Sequence, residues 1–355
     1  MPLKLFIKFG NSMKKLSIRP SFYLFIFIFI ISCSKSNGES VSTSSNPMNP
    51  IAAITPKLLS LPNGWKLLTT ITMSFPSGIE LYYYDSIYAG RKTKMFCLAY
   101  DSKDVNIEFK PLLSTTAKTP SSFYKDEAGV VYATINGGFF GVNQSYSLVK
   151  YNNTVSAPNI KVLNRILNGI STSYYPTRAA FGVHTNGDYE AAWIYNVGSG
   201  NDLIYSYPSP SFNVEGKAPL NIPDQIYPNG GVVWNTISAI GGSPVLIKNG
   251  TINITDTAEM ININNTMSRP RTAIGVNNSG VVMIFAVEGD NTLSGYDGMN
   301  LVELANVMKS FLCKDAINLD GGSSTSMVVA NQLLVRPGNN GIETPVISAI
   351  IIKKK

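Results

Sequence analysis

Short runs of β-branched and aromatic residues, each closed by Gly, Asn or Pro, recur along most of this 355-residue chain. GIELYYYDSIY from Gly78, KMFCLAYD from Lys94, VVYATING from Val130, AAWIYNV from Ala191, VVMIFAVEG from Val281 and VISAIIIK from Val346 show the pattern. Runs of this length between turn residues read as strands, because a stable helix needs about ten residues and is broken by Gly and Pro. Helical spacing is confined to Asn300 to Leu312, where Leu301, Leu304, Ala305, Met308, Phe311 and Leu312 share one face, and, less clearly, to Phe123 to Gly129. Tyr151 to Tyr175 and Tyr205 to Tyr227 lack a clear period and are expected as loops over one face. The chain is therefore sheet-dominated with few helices.

The glycines expose a partial internal repeat. RAAFGVHTNG from Arg178 aligns with RTAIGVNNSG from Arg271 at Arg, Ala, Gly, Val and the closing Gly, and each copy reads as a strand running into a hairpin turn. An apolar strand leading into a glycine pair also recurs, as TINGGFFG from Thr134, SAIGGSPV from Ser238 and AINLDGGS from Ala316. A pseudo-symmetric body follows, in which several glycine-pair turns gather at one rim.

At 44% hydrophobic, the chain can bury a sizeable core. Its formal charge of +7 suggests a polyanion partner, but Lys4, Lys8, Lys14, Lys15 and Arg19 all precede Cys33, where no acidic residue occurs. Without those five, 24 basic residues face 22 acidic ones, a net of +2, and Lys353, Lys354 and Lys355 form a terminal tail. Nucleic acid is not an expected partner of a body so close to neutral.

The basic N-terminus runs into FYLFIFIFII, Phe22 to Ile31, and then Ser32-Cys33. Ten apolar residues are too few to span a bilayer, so residues 1–32 are expected to be a signal peptide, with Met13 an alternative start; an uncleaved anchor helix is the other reading. Ser32-Cys33 resembles a bacterial lipobox, which implies cleavage before Cys33 and acylation of its sulfur. The Ser- and Asn-rich residues 33–57 are then a flexible tether and 58–355 the folded domain, lipid-anchored in a bacterial envelope, at the outer membrane, facing periplasm or exterior. Cys97 and Cys313 lie in apolar surroundings and are expected as buried free thiols.

Several motifs offer chemistry. Asn136-Gly137-Gly138 puts an amide beside backbone that can adopt positive φ and approach a ligand; a β-bulge or tight corner is the plainer account. Asp320-Gly321-Gly322-Ser323-Ser324-Thr325 delivers a carboxylate and a row of hydroxyls to a strand end, or alternatively a simple turn capped by Asp320. Arg178 and Arg271 open equivalent strands, and an arginine fork can hold a phosphate, although a salt bridge would also account for either. Glu288-Gly289-Asp290 brings carboxylates to another strand end. His184, the only histidine, stands where the repeat has Asn277, a turn residue, which argues against a catalytic triad. No spacing supports a metal or other cofactor, including a divalent ion between Asp320 and Glu288.

The ordered series INGGFFG, AIGGSPVLIKNG, RPRTAIGV, VEG, LVELANVMKSF and DAINLDGGSSTSMVV, covering Val130 to Ile352, resembles the phosphodiester glycosidase family. The resemblance implies an α+β fold of curved, mixed or antiparallel sheets whose motif turns line one pocket. Asn136, Gly137 and Gly138 match one family segment, Arg271 and Thr272 a second, and Asp320, Gly321 and Gly322 a third. This chain departs from the family with Ser323 for a third glycine, Glu288 and Asp290 for Asp and Arg, and Thr344 for Arg.

The resemblance implies a hydrolase that cleaves a sugar from a phosphate diester. The departing phosphomonoester has a second pKa of ~6 and leaves without strong proton donation, so one carboxylate can suffice. Asp320 or Glu288 is then expected as base or nucleophile. Arg271, with Thr272 and the amides of Gly137, Gly138, Gly321 and Gly322, would hold phosphate, while Asn136, Ser324 and Thr325 orient sugar hydroxyls. A carbohydrate or sugar-phosphate partner follows, with the membrane reached through the lipid anchor. A noncatalytic glycan-binding lipoprotein and a structural envelope protein are the alternatives.

Overall fold

A computed structural model describes residues 58–290 and 294–355. By internal contacts the chain divides into Met1–Ala52 and Ala53–Lys355, and every described residue belongs to the second unit. The signal peptide, Cys33 and the tether lie outside the described residues.

The short apolar runs form three antiparallel sheets. An eight-stranded sheet carries, among others, Ile79–Tyr88, Arg91–Asp101, Val281–Val287, Arg271–Asn277, Cys313–Asn318 and Val245–Lys248, neighbours in that order. A seven-stranded sheet centres on Tyr189–Asn196, Arg178–His184 and Thr236–Gly241. A five-stranded sheet carries Met327–Val329, Val131–Asn136, Val346–Lys354 and, at its edge, Ile107–Lys118. Side chains from all three, including Leu81, Leu98, Ile135, Phe181, Trp193, Ile284 and Ile350, meet in one core. The other face of the eight-stranded sheet packs against Leu301–Ser310, through Leu304, Met308, Phe285, Phe311 and Trp65. That helix starts where its sequence demands, with Asn300 and Glu303 bonding each other's backbone N–H in a capping box.

The repeat is structural. Arg178–His184 and Arg271–Asn277 each pair on one side with a hairpin partner and on the other with a strand leading to a glycine turn, Thr236–Gly241 and Cys313–Asn318. Ala180 lies opposite Gly241 as Ala273 lies opposite Asn318, and both strands shift register before their last residue, at His184 and at Asn277. The two opening arginines grip one connection: Arg178 donates to the Met260 carbonyl, Arg271 to those of Ile263, Asn264 and Met267.

Two expectations need correction. The stretch Tyr151 to Tyr175 is not only loop, since Leu163–Leu167 and Ile170–Tyr174 form a hairpin. Its turn, Asn168-Gly169, has both residues in the left-handed region, the pairing a two-residue hairpin prefers; exposure on both faces removed the alternation that marks a strand. The second helix is Pro120–Asp126, with Thr119 as N-cap and Pro at its first position, earlier than the apolar spacing alone suggested. Cys97 and Cys313 are buried and free, as expected.

His184 sits at the end of its strand with Nε2 2.8 Å from Glu190 Oε1, while Nδ1 lies 3.1 Å from the Asn235 carbonyl. The Glu190 bond raises the His184 proton affinity against the opposing effect of burial. A folded-state pKa above the unfolded value stabilises the protein below about pH 6.5, and this stability is lost as pH rises through the folded pKa. His184→Gln should therefore cost on the order of 1 kcal/mol at pH 5.5 and less at pH 8.5, as read by urea unfolding at the two pH values.

Candidate active site

Three of the predicted motifs converge on one buried amide. Asn136, at the end of its strand in the five-stranded sheet, accepts at Oδ1 from the Thr272 hydroxyl at 2.8 Å and from the Ser326 N–H at 3.1 Å. Its Nδ2 donates to the Asp320 carbonyl at 2.7 Å and to the Gly137 carbonyl at 3.3 Å. Thr325 approaches Thr272 within 3.5 Å, and the Asp320 N–H donates to the Gly137 carbonyl at 3.2 Å. Asn136, Thr272 and Thr325 are fully buried, so they lock the motif turns together behind the site instead of facing it.

In front of this network lies a cavity of about 330 Å³ lined by Phe139, Arg269, Arg271, Asp290, Asp320 and Gly322, with Ile263, Asn264, Gly321 and Ser323 completing the wall. Asp320 and Arg271 thus share one opening. Burial pushes the Asp320 carboxyl up to about 6, even though the Ser324 hydroxyl and the Gly321 N–H, the latter at 2.9 Å, hydrogen bond to it and pull the other way. Among the described residues it forms no ion pair with a cation. A carboxylate whose charge is held by hydrogen bonds alone, with a proton affinity near neutrality, can act as base or nucleophile at working pH.

The glycine pairs differ in purpose. Gly137 and Gly138 do not adopt positive φ. A Cβ at Gly137 would meet Ser348, and one at Gly138 would lie 2.3 Å from the Gly241 carbonyl oxygen, so these glycines allow strands to pack closely. Gly322 is different: its φ is +59° and a Cβ there would point into open space, at the cavity wall. Its N–H donates to the Pro270 carbonyl, tying the turn to the Arg271 strand.

Arg271 is 2% exposed, and four of its five N–H donors bind carbonyls: Nε to Met299, Nη1 to Ile263, and Nη2 to Asn264 and Met267. Burial and the neighbouring Arg269 lower its pKa to about 10. It fixes the cavity wall and lends it positive charge. Glu288 is not brought to Asp320. It is buried beside a separate cavity of about 280 Å³ with Lys94, Tyr296 and Arg336, and accepts from the Arg336 N–H at 3.3 Å.

Arg269, Asp290 and Glu343 complete the picture and were not singled out as site residues by sequence. Arg269 Nη1 lies 2.9 Å from Asp290 Oδ2 at the cavity mouth, while its Nε is buried without a hydrogen-bond partner. Asp290 reaches it from a left-handed backbone, φ 49°. The signal was present in RPRTAIG, since residues 269 and 271 of an extended chain project to one side. Glu343 accepts from the Ser326 hydroxyl at 2.9 Å and the Ser121 N–H at 3.1 Å, bracing the Asn136 network from behind.

The profile of the phosphodiester glycosidase family matches residues 129–353, well over half of the chain. This chain belongs to the phosphodiester glycosidase family. Membership makes it a hydrolase of glycosidic type, and the motifs that meet at Asn136 all lie within the matched residues. Among solved structures, the catalytic domain of zebrafish N-acetylglucosamine-1-phosphodiester alpha-N-acetylglucosaminidase, auto-inhibited by its pro-peptide, is similar with a TM-score of 0.53 and 17% identity over 82% of this chain and 89% of that one. A hypothetical protein from Synechocystis has a TM-score of 0.50 and 19% identity over 83% of this chain and 69% of that one. At such identities the likeness establishes the fold. No curated protein matches the sequence significantly.

For this phosphodiester glycosidase, the two kinds of glycine predict different costs. Gly138→Ala should destabilise by several kcal/mol, because a backbone carbonyl must move. Gly322→Ala should cost only about 1 kcal/mol, from its left-handed backbone, while narrowing the cavity. Chemical unfolding of the two variants, with turnover measured on the second, checks both.

Proposed function

We propose that this enzyme hydrolyses the bond between the anomeric carbon of a sugar and the phosphate of a sugar-1-phosphodiester. The single observation that carries the reading is Asp320, which forms no ion pair among the described residues and whose carboxyl burial pushes up to about 6, in a cavity also lined by the Arg269–Asp290 pair. The cavity volume lies within the range of small-ligand sites.

In this reading the diester phosphate sits at Arg269, whose orphaned Nε and remaining N–H groups supply a fork, with the Arg271 charge behind it. Asp320 faces the anomeric carbon as nucleophile or as base for an attacking water. The bond from that carbon to the bridging oxygen breaks, the electron pair leaves on the phosphomonoester, and water supplies the new sugar hydroxyl. A phosphomonoester with a second pKa of ~6 needs no proton from the enzyme to depart, so a single carboxylate meets the requirement. Asn136 and Thr325 serve by fixing the turn that carries Asp320, and Ser324 by holding its charge.

Asp320→Asn should abolish release of sugar from model sugar-1-phosphodiesters, a loss of about 10²–10⁴-fold or more. It should leave the fold as stable as before, or more stable, at pH 7, because it removes a charge that partial burial disfavours. For the parent enzyme kcat/KM should rise through an acidic limb near pH 6, since Asp320 works ionised. Ser324→Ala should move that limb to higher pH, as the lost hydrogen bond favoured the charged form. A limb unmoved by Ser324→Ala would assign the titration to another group.

We further propose that the enzyme is anchored in a bacterial envelope through acylated Cys33, on the strength of the basic, apolar and Ser32-Cys33 series at its N-terminus. Detergent-phase partition of the full chain, lost in Cys33→Ser, tests the anchor separately from the chemistry.

A further inference from the structure

A second cavity of about 480 Å³ adjoins the Asp320 cavity, and Asn264 lines both. One wall is the 256–267 connection, the other comes from Arg165 in the hairpin and from Val214 and Glu215. Arg269 and Asp290 of the Asp320 cavity also line a third, larger hollow of about 720 Å³, which shares Met267 with the 480 Å³ cavity. The three openings are therefore linked through shared residues, and the reacting carboxylate lies in the one that adjoins both of the others.

The 480 Å³ cavity has the chemistry of a sugar site. Thr257, Asn262, Asn264 and Thr266 present amides and hydroxyls, while Val214, Met260, Ile261 and Met267 supply apolar steps for C–H faces. Its charged groups are neutralised or negative in sum. Arg165 faces Glu215 at 3.6 Å, and Asp256 accepts a hydrogen bond from the Asn265 amide. A second phosphate or a uronate would meet two carboxylates and one cation, so the wall favours an uncharged ligand.

The cavity is also built to hold its shape. Arg178 and Arg271 bind the carbonyls of Met260, Ile263, Asn264 and Met267, pinning the connection from both halves of the repeat. Met260 and Asn264 stand in the left-handed region, at φ 50° and 56°, and so does Phe212, at φ 44°, two residues before the lining Val214 and 60% exposed. Strained residues held by buried arginines around an open polar hollow mark a preorganised binding surface.

Resting on the phosphodiester glycosidase reading of Asp320, we infer that this cavity binds further neutral sugar units attached to the sugar being cleaved. The substrate is then an oligosaccharide whose reducing-end residue carries the 1-phosphodiester, with the phosphate and its alcohol directed toward Arg269 and the third hollow.

The test uses the full chain with methyl phosphodiesters of neutral monosaccharides and of the matching trisaccharides, in gluco, manno and N-acetylglucosamine series. One trisaccharide should exceed its monosaccharide at least tenfold in kcat/KM, and Thr257→Trp, which places a ring at the exposed rim of the second cavity, should bring that ratio toward one. Equal kcat/KM within every series overturns the extended site and leaves the Asp320 chemistry standing. If no ester is turned over, calorimetry with the free trisaccharides decides: binding weakened by Thr257→Trp sustains the site and sinks the hydrolase reading, and no binding overturns both. A preference for uronic-acid trisaccharides over neutral ones would also overturn the inference.

Discussion

One buried carboxamide joins the two sheets that make the active site. Asn136 closes a strand of the five-stranded sheet, and its four hydrogen bonds reach Thr272 on the eight-stranded sheet, Asp320 just past that sheet's Cys313–Asn318 strand, Ser326 just before Met327–Val329, and its neighbour Gly137. An amide sealed from water must satisfy both donors and both acceptor positions or forfeit several kcal/mol, so its partners have little freedom to drift. The Asp320 turn is fixed by this constraint, and with it the depth at which the carboxylate is buried. That depth raises its proton affinity. The chemistry thus depends on a residue that never faces the cavity.

The repeat clarifies how one half became the reactive one. With Ala180 opposite Gly241 and Ala273 opposite Asn318, Ser243 takes the place that Asp320 holds in the other half. There the space is filled: the buried Glu259 carboxylate accepts from the Ser243 hydroxyl at 2.6 Å and from the Val245 and Ala179 N–H groups. Burial raises the Glu259 pKa despite those bonds. The same architecture therefore yields a closed polar plug in one half and an open cavity in the other, and the connection that carries Glu259 is clamped by the opening arginine of each.

Much of the fold was legible in the chain. Strand runs, the capped helix after Asn300 and the paired repeats follow from local rules of period and punctuation, which tertiary packing left intact. The strand Ile107–Lys118 escaped notice because Pro111 interrupts its pattern, yet at a sheet edge proline costs no ladder bond. The site was legible as a set of motifs but not as a division of labour. Asn136 and Thr272 have the composition of ligand contacts, and only burial shows them to be framework. Arg271 has the composition of a phosphate fork, and only its four carbonyl partners show where its hydrogens go. Glu288 and Asp320 both end strands, and nothing local to either indicates that they open on different cavities.

Catalysis depends on the protonation of Asp320 in the intact fold. Carbon-detected NMR titration of its side-chain carboxyl reads that property directly. A midpoint near pH 6 is the predicted result. A midpoint near 4, the ordinary value for an aspartate, would mean that the carboxyl is solvated or paired with a cation, and that the enzyme holds no half-buried, poised base at Asp320.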